Sequence, residues 1–332
     1  MFKPFLVPAV LAVTASLSIP ESAHAATTCT PISTSLEFGT PPSDTTAVVT
    51  VDCSTFGVTL LSLIRVRMCL HIGPGGAGGG QMLPRRMTNS FDDPLDFQIY
   101  QNAARNIVWG SSGTSSPIPL TVDFEYPVLL LGGSNESRHT MYGRIGPGDG
   151  RAAGEYSTSF AGDARLDYRY AEPVLLVTPW PSSCTSGGSG GGSVTFSFTA
   201  SASVPDSCEI DLASDLDFGS VPGLINEAVD QQSAVTLTCT RRTAWDMSLE
   251  DGQHATGGTR RMVRSDGGGH LVYELYRDPS RTLRWGTIED GDVESGVGTG
   301  SQQSVTVYGR VPAGQAIPAG GYRDTVTLTI SY

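Results

Sequence analysis

Residues 193–204 read SVTFSFTASASV, with Val194, Phe196, Phe198, Ala200, Ala202 and Val204 on one parity and Ser or Thr between them. Strict alternation of this kind is the pattern of a β-strand with one buried face. The same period of two recurs in AVTLTC (234–239), LVYELY (271–276), QSVTVYGRV (303–311) and DTVTLTISY (324–332). Glycine-rich turns separate these segments, and no stretch carries the 3.6-residue period of an amphipathic helix. Short, regularly spaced strands with turn signals predict an all-β chain built as sandwiches.

The segments also repeat. SLEFGT, VTVDC, RRM, LDFQIYQNAARNIVWG, MYGRI and AGEYSTSF in the first half reappear in order as DLDFGS, VTLTC, RRM, LVYELYRDPSRTLRWG, VYGRV and AGGYRDTV. A period of about 175 residues is far longer than that of a solenoid, so it predicts two homologous domains. Their boundaries are placed at 26–204 and 205–332, with 193–204 left over between the two repeated units. Residues recurring in both units are read as fold-maintaining: Arg85 and Arg260 of the RRM runs, Trp109 and Trp285 as core, Tyr142 and Tyr308 as closing strand ends.

Residues 1–25 carry Lys3, an apolar run from Phe5 to Leu17 and the small-residue site Ala23-His24-Ala25. This is the pattern of a cleaved secretory signal. Only Ala26, Thr27 and Thr28 would then precede Cys29. No later stretch has the roughly 18 uninterrupted apolar residues of a membrane-spanning helix. The net charge of −12 argues against nucleic acid or an anionic membrane as main partner. Six cysteines in an exported chain suggest disulfides, with 15 connectivities open in principle. The repeat narrows them: each unit has one cysteine before its Phe-Gly and one closing the next strand. That pairs Cys29 with Cys53 and Cys208 with Cys239, leaving Cys69 for Cys184.

Catalytic signals are weak. His71, His139, His254 and His270 form no ligand spacing. Gly187-Gly188-Ser189-Gly190-Gly191 matches a nucleophile elbow only formally, inside a Gly/Ser run that offers no strand–turn–helix context. GPGGAGGG (73–80) lacks the Gly-Lys-Ser/Thr of a phosphate loop. No catalytic, cofactor or metal residues are assigned, and the chain is read as a non-enzyme.

The Phe-Gly beside a cysteine, the Arg-Met followed by Tyr-x-Leu-Tyr and Trp-Gly, the Tyr-Gly-Arg and the closing AGGYRDTVTLT together resemble the spore coat protein U domain family. That family includes pilins of the archaic, Csu-type chaperone–usher pathway. The likeness is close over 208–332 and looser over 29–170. It implies two immunoglobulin-like β-sandwiches, with the second lacking its final strand. An open groove of this kind is filled first by a periplasmic pilus chaperone and then, at the outer-membrane usher, by the N-terminal strand of the next pilin subunit. Val326, Leu328, Ile330 and Tyr332 would form the edge strand of that acceptor groove. Residues 193–204, through Val194, Phe196, Phe198, Ala200 and Ala202, would complete the first domain as an intrachain donor strand on a flexible glycine tether.

A chain that accepts a strand but donates none from its start fits the pilus tip. The expected route is through the periplasm to the cell surface, and the expected work is attachment to an abiotic or host surface. Two apolar stretches could serve: Val128, Leu129, Leu130 and Leu131, which read first as a buried strand, and Val174, Leu175, Leu176, Val177 and Trp180, where Pro173, Pro179 and Pro181 resist regular pairing. The alternative is a non-polymerising structural coat or secreted protein built from the same domains.

Overall fold

The computed structural model describes residues 26–57, 62–130, 132–148, 150–173, 178–221 and 223–332. The leader segment 1–25, Leu131 and Val174–Val177 lie outside the described residues. Regular structure is β throughout apart from a three-residue 3-10 turn at Gly76–Gly78.

In the first domain the strands are β1 (Ala26–Ser33), β2 (Leu36–Glu37), β3 (Ser43–Phe56), β4 (Ser62–Ile72), β5 (Arg85–Thr88) and β6 (Pro94–Tyr100). They continue with β7 (Leu120–Val128), β8 (Gly132–Ile145), β9 (Gly154–Ser159), β10 (Ala164–Ala171), β11 (Gly190–Phe196) and β12 (Thr199–Val204). One sheet has the order β1-β3-β8-β6-β5-β9-β12-β2 and the facing sheet β11-β10-β4-β7. Inward residues of both sheets form one core, from Cys29 through Val49, Met68, Trp109 and Tyr156 to Val204.

The second domain holds β13 (Cys208–Ala213), β14 (Leu224–Ile225), β15 (Val229–Cys239), β16 (Ala244–Leu249), β17 (Arg261–Arg264) and β18 (His270–Val272). After these come β19 (Glu274–Tyr276), β20 (Glu294–Val297), β21 (Gln302–Val311), β22 (Gln315–Ala316), β23 (Tyr322–Arg323) and β24 (Leu328–Ser331). Its ladders are β13-β15-β21-β19, β18-β17-β23 and β20-β16-β24, with the pair β14-β22 beside them. They enclose a separate core that includes Leu237, Met247, Tyr273 and Trp285. Both domains are immunoglobulin-like β-sandwiches.

The repeated residues explain why the two units fold alike. Trp109 and Trp285 are fully buried, and each indole N–H donates to a carbonyl of the facing strand, Leu70 and Met247 respectively, at 2.8 Å. Arg85 and Arg260 are also fully buried. Arg85 donates to the carbonyls of Gly73, Ile72 and Trp109, and Arg260 to those of Leu249 and Glu250. Carbonyls at strand ends and in the loops beside them are hydrogen-bonded inside the sandwich this way. Burial, opposed by the Asp163 carboxylate, pushes the Arg85 guanidinium down to about 9. Tyr142 and Tyr308 correct the sequence reading: they lie inside β8 and β21, not at strand ends, each near an arginine guanidinium (Arg105 and Arg281). The disulfides are Cys29–Cys53, Cys69–Cys184 and Cys208–Cys239.

Candidate strand-accepting groove and apolar pole

Residues 190–204 run antiparallel along the β10–β9 flank of the first domain, crossing from one sheet to the other. β11 pairs with β10 from Gly190↔Tyr170 to Phe196↔Ala164, and β12 pairs with β9 from Thr199↔Ser159 to Val204↔Gly154. On its other side β12 pairs in parallel with β2, Ala200 opposite Leu36. Phe38 N–H donates to the Ser201 carbonyl at 2.8 Å and Phe160 N–H to the Phe198 carbonyl at 2.9 Å. Phe196, Phe198, Ala200, Ala202 and Val204 are buried in the first core, with the half-buried Val194 packed against it. The Phe198 ring stacks on Phe160 at 4.3 Å.

The glycines before this strand differ from the sequence reading. Gly190, Gly191 and Gly192 belong to β11, not to a tether. A Cβ on Gly190 would come within 2.4 Å of the Tyr170 hydroxyl, and one on Gly191 within 2.2 Å of the Tyr168 carbonyl oxygen. Tyrosine side chains and backbone pack where side chains would otherwise stand.

The same flank of the second domain is bare. β23 pairs only with β17 and β24 only with β16, and no strand among the described residues lies along their other edge. Leu216 and Phe218, the counterparts of the buried Leu36 and Phe38, are half-buried and belong to no strand. They still close over Gly309 as Leu36 and Phe38 close over Gly143. Val326, Leu328 and Ile330 are half-buried against the second core, and Tyr332 is 61% exposed. Half-buried apolar residues of 214–219 and 322–331 therefore line a trough along which no described strand pairs.

The first domain ends, on the side away from the second, in an apolar pole. Phe56 closes β3 and is 67% exposed. Opposite it, at the β7–β8 turn, Leu129 and Leu130 are 58% and 65% exposed, and Leu130 has a φ of 36°. Val128, named with them from the sequence, is fully buried and faces the core, so it is not available to a surface. The β8 strand runs from this pole to the opposite end, where the 89–93 and 152–153 segments meet the second domain. Fourteen residues in extended conformation span about 45 Å.

The model of the spore coat protein U domain matches residues 13–161 and 194–329. The chain belongs to that family. A curated member, Protein U of Myxococcus xanthus, is 31% identical over 128 residues, 35% of this chain and 71% of its own. Among solved structures, a CsuC–CsuE chaperone–tip adhesion subunit pre-assembly complex of Acinetobacter baumannii is 18% identical, with a TM-score of 0.45. That match covers 92% of this chain and 100% of the other. The CupB6 tip adhesin of Pseudomonas aeruginosa is 11% identical, with a TM-score of 0.35, over 91% and 93% of the two chains.

The two spore coat protein U units differ at one matching position of the repeat, Asp324 against Thr158. In the second, the buried Asp324 carboxylate accepts the Tyr273 hydroxyl at 2.7 Å and lies 2.8 Å from His254 Nδ1. Burial, followed by the Asp324 carboxylate, holds the Tyr273 phenol well above its ordinary range. The first unit has Thr158 there, accepting the Ala77 N–H. Trp180 is 37% exposed, with the Arg65 guanidinium 5.1 Å from its ring centre. Thr178, two residues before it, donates to the Leu63 carbonyl, which fixes this segment near the start of β4 and towards the apolar pole. Phe56 was missed in the sequence. The signal was its place three residues after Cys53, matching Arg242 three after Cys239. Among the described residues no group of three or more His, Cys, Asp or Glu side chains could hold a metal ion.

Proposed function

We propose that this protein is the tip adhesin of an archaic chaperone–usher pilus. Its first domain holds its completing strand, residues 193–204, within the chain, and its second presents a trough to a strand from another. A periplasmic chaperone occupies the trough during export, and at the outer-membrane usher the N-terminal strand of the next subunit replaces it by β-strand addition. The observation that carries this reading is the asymmetry between the two flanks: one sandwich filled by residues 190–204, the other lined by half-buried Val326, Leu328 and Ile330. Phe56, Leu129 and Leu130, with Trp180 nearby, supply the surface that meets an abiotic or host substratum, since exposed apolar clusters mark interaction sites. Leu175 and Leu176, named from the sequence, are proposed as further adhesion residues.

The test is replacement of Phe56, Leu129 and Leu130 together by Ser in piliated cells. Attachment to plastic is expected to fall severalfold at unchanged pilus number, and the Leu175, Leu176 and Trp180 set to act alike. Full attachment by normally piliated cells carrying both sets would reject the adhesive role.

A further inference from the structure

The two domains are joined by only three exposed residues, Pro205, Asp206 and Ser207. A link this short limits their separation but does not by itself fix an orientation. Side chains at the junction do. Asp93, in the turn between β5 and β6, is buried, and its carboxylate receives Arg241 Nη2 at 2.6 Å, Arg242 Nη2 at 3.2 Å and Arg242 Nε. Both arginines come from the β15–β16 turn of the other domain. From its own domain Asp93 receives Asn89 Nδ2 at 3.2 Å.

Further contacts converge on the same place. The Arg242 guanidinium lies 4.6 Å over the Phe91 ring, and Arg242 itself has a φ of 72°, in the left-handed region. Ala153 N–H donates to the Arg241 carbonyl at 2.8 Å, and Ala152 bridges Arg241 in parallel. A Cβ on Gly300 would approach the Gly150 Cα to 3.0 Å, so the two backbones pass close together.

The first domain supplies a buried carboxylate and an aromatic ring, and the cations come from the second. Separation of the domains would part the carboxylate from both guanidinium groups, so their pairing favours the docked arrangement. We propose that Asp93, Arg241 and Arg242 form an inter-domain clasp that holds the two sandwiches as one rigid unit and keeps the apolar pole on the far end of its long axis. The groups facing Asp93 are Arg241, Arg242, Asn89 and, through Asn89, the Tyr156 hydroxyl. The Arg242 hydrogen bond, against the opposing effect of burial, holds the Asp93 carboxyl below its ordinary range. A lowered carboxylate pKa contributes stability above the unfolded value and loses it as pH falls through the folded one. The clasp therefore persists at neutral pH and opens in strong acid. The two arginines are partly exposed, so concentrated salt weakens it as well.

Small-angle scattering and limited proteolysis of the full chain, in whatever complex it purifies, test this. Asp93→Asn keeps the side-chain shape. The double change Arg241→Gln and Arg242→Gln alters only half-exposed residues of the other domain, so it reports on the clasp even where Asp93→Asn perturbs its own turn. Both are expected to broaden the distance distribution and to raise cleavage within 205–207 roughly severalfold. Wild type in about 1 M salt should move the same way by less. Wild-type scattering and cleavage rates in the arginine variant would overturn the proposal.

Discussion

Strand β10 of the first domain has neighbours on both edges, β4 and β11. Its counterpart by position, β24, has β16 on one edge and no described strand on the other. The contrast extends into the cores. Among the described residues the first core holds 31 buried members with 5 half-buried ones against it, and the second 13 with 12. Homologous strands therefore give a closed or an open sandwich according to whether one further segment, 190–204, lies beside them. Burial of Phe196 and Phe198 alone is worth about 1.5–3 kcal/mol each. An open flank lacks that contribution and leaves a row of unpaired backbone groups, which is the condition for adding a strand.

Removing a ring from the filled flank should break this contrast most sharply. Phe198→Ala is expected to destabilise the first domain by about 3–5 kcal/mol, because Phe160 loses its stacking partner inside a closed core. Ile330→Ala on the open flank should cost the second domain only about 1–2 kcal/mol. Urea unfolding followed by tryptophan fluorescence, with Trp109 and Trp180 or Trp245 and Trp285 replaced by Phe to leave the signal of one domain, would compare them. Equal losses would argue that the two flanks are packed alike.

A smaller effect sharpens the role of the glycines. Gly191→Ala places a Cβ against the Tyr168 carbonyl and should cost the first domain about 1–3 kcal/mol. Gly146→Ala, where nothing lies within 4 Å, should be close to neutral. The same unfolding midpoints read both, and a silent Gly191→Ala would return the tract to a tether.

Much of this architecture was legible in the chain. Alternation identified the strands, and the ordered repeat divided the protein and paired its cysteines, because disulfides and buried Trp and Arg residues recur wherever the same sandwich recurs. The alternation at 193–204 could be read as a strand for the same reason. Other features could not be read. Gly190–Gly192 have the composition of a linker, and only the tyrosines packed across them show why side chains are absent. Phe56 and Val128 stand in similar apolar strand ends, yet one is exposed and the other buried, because strand termination depends on where the partner strand turns. The Asp93 clasp joins residues about 150 positions apart, and no local pattern announces such a contact.

Hydrogen–deuterium exchange on the chain purified free of other proteins tests the difference between the flanks most directly. Amides of β10 should be protected on both edges, whereas those of β24 that face away from β16 should exchange like exposed amides, orders of magnitude faster. Equal protection of β24 and β10 in the isolated chain would contradict the open flank and with it the strand-accepting groove.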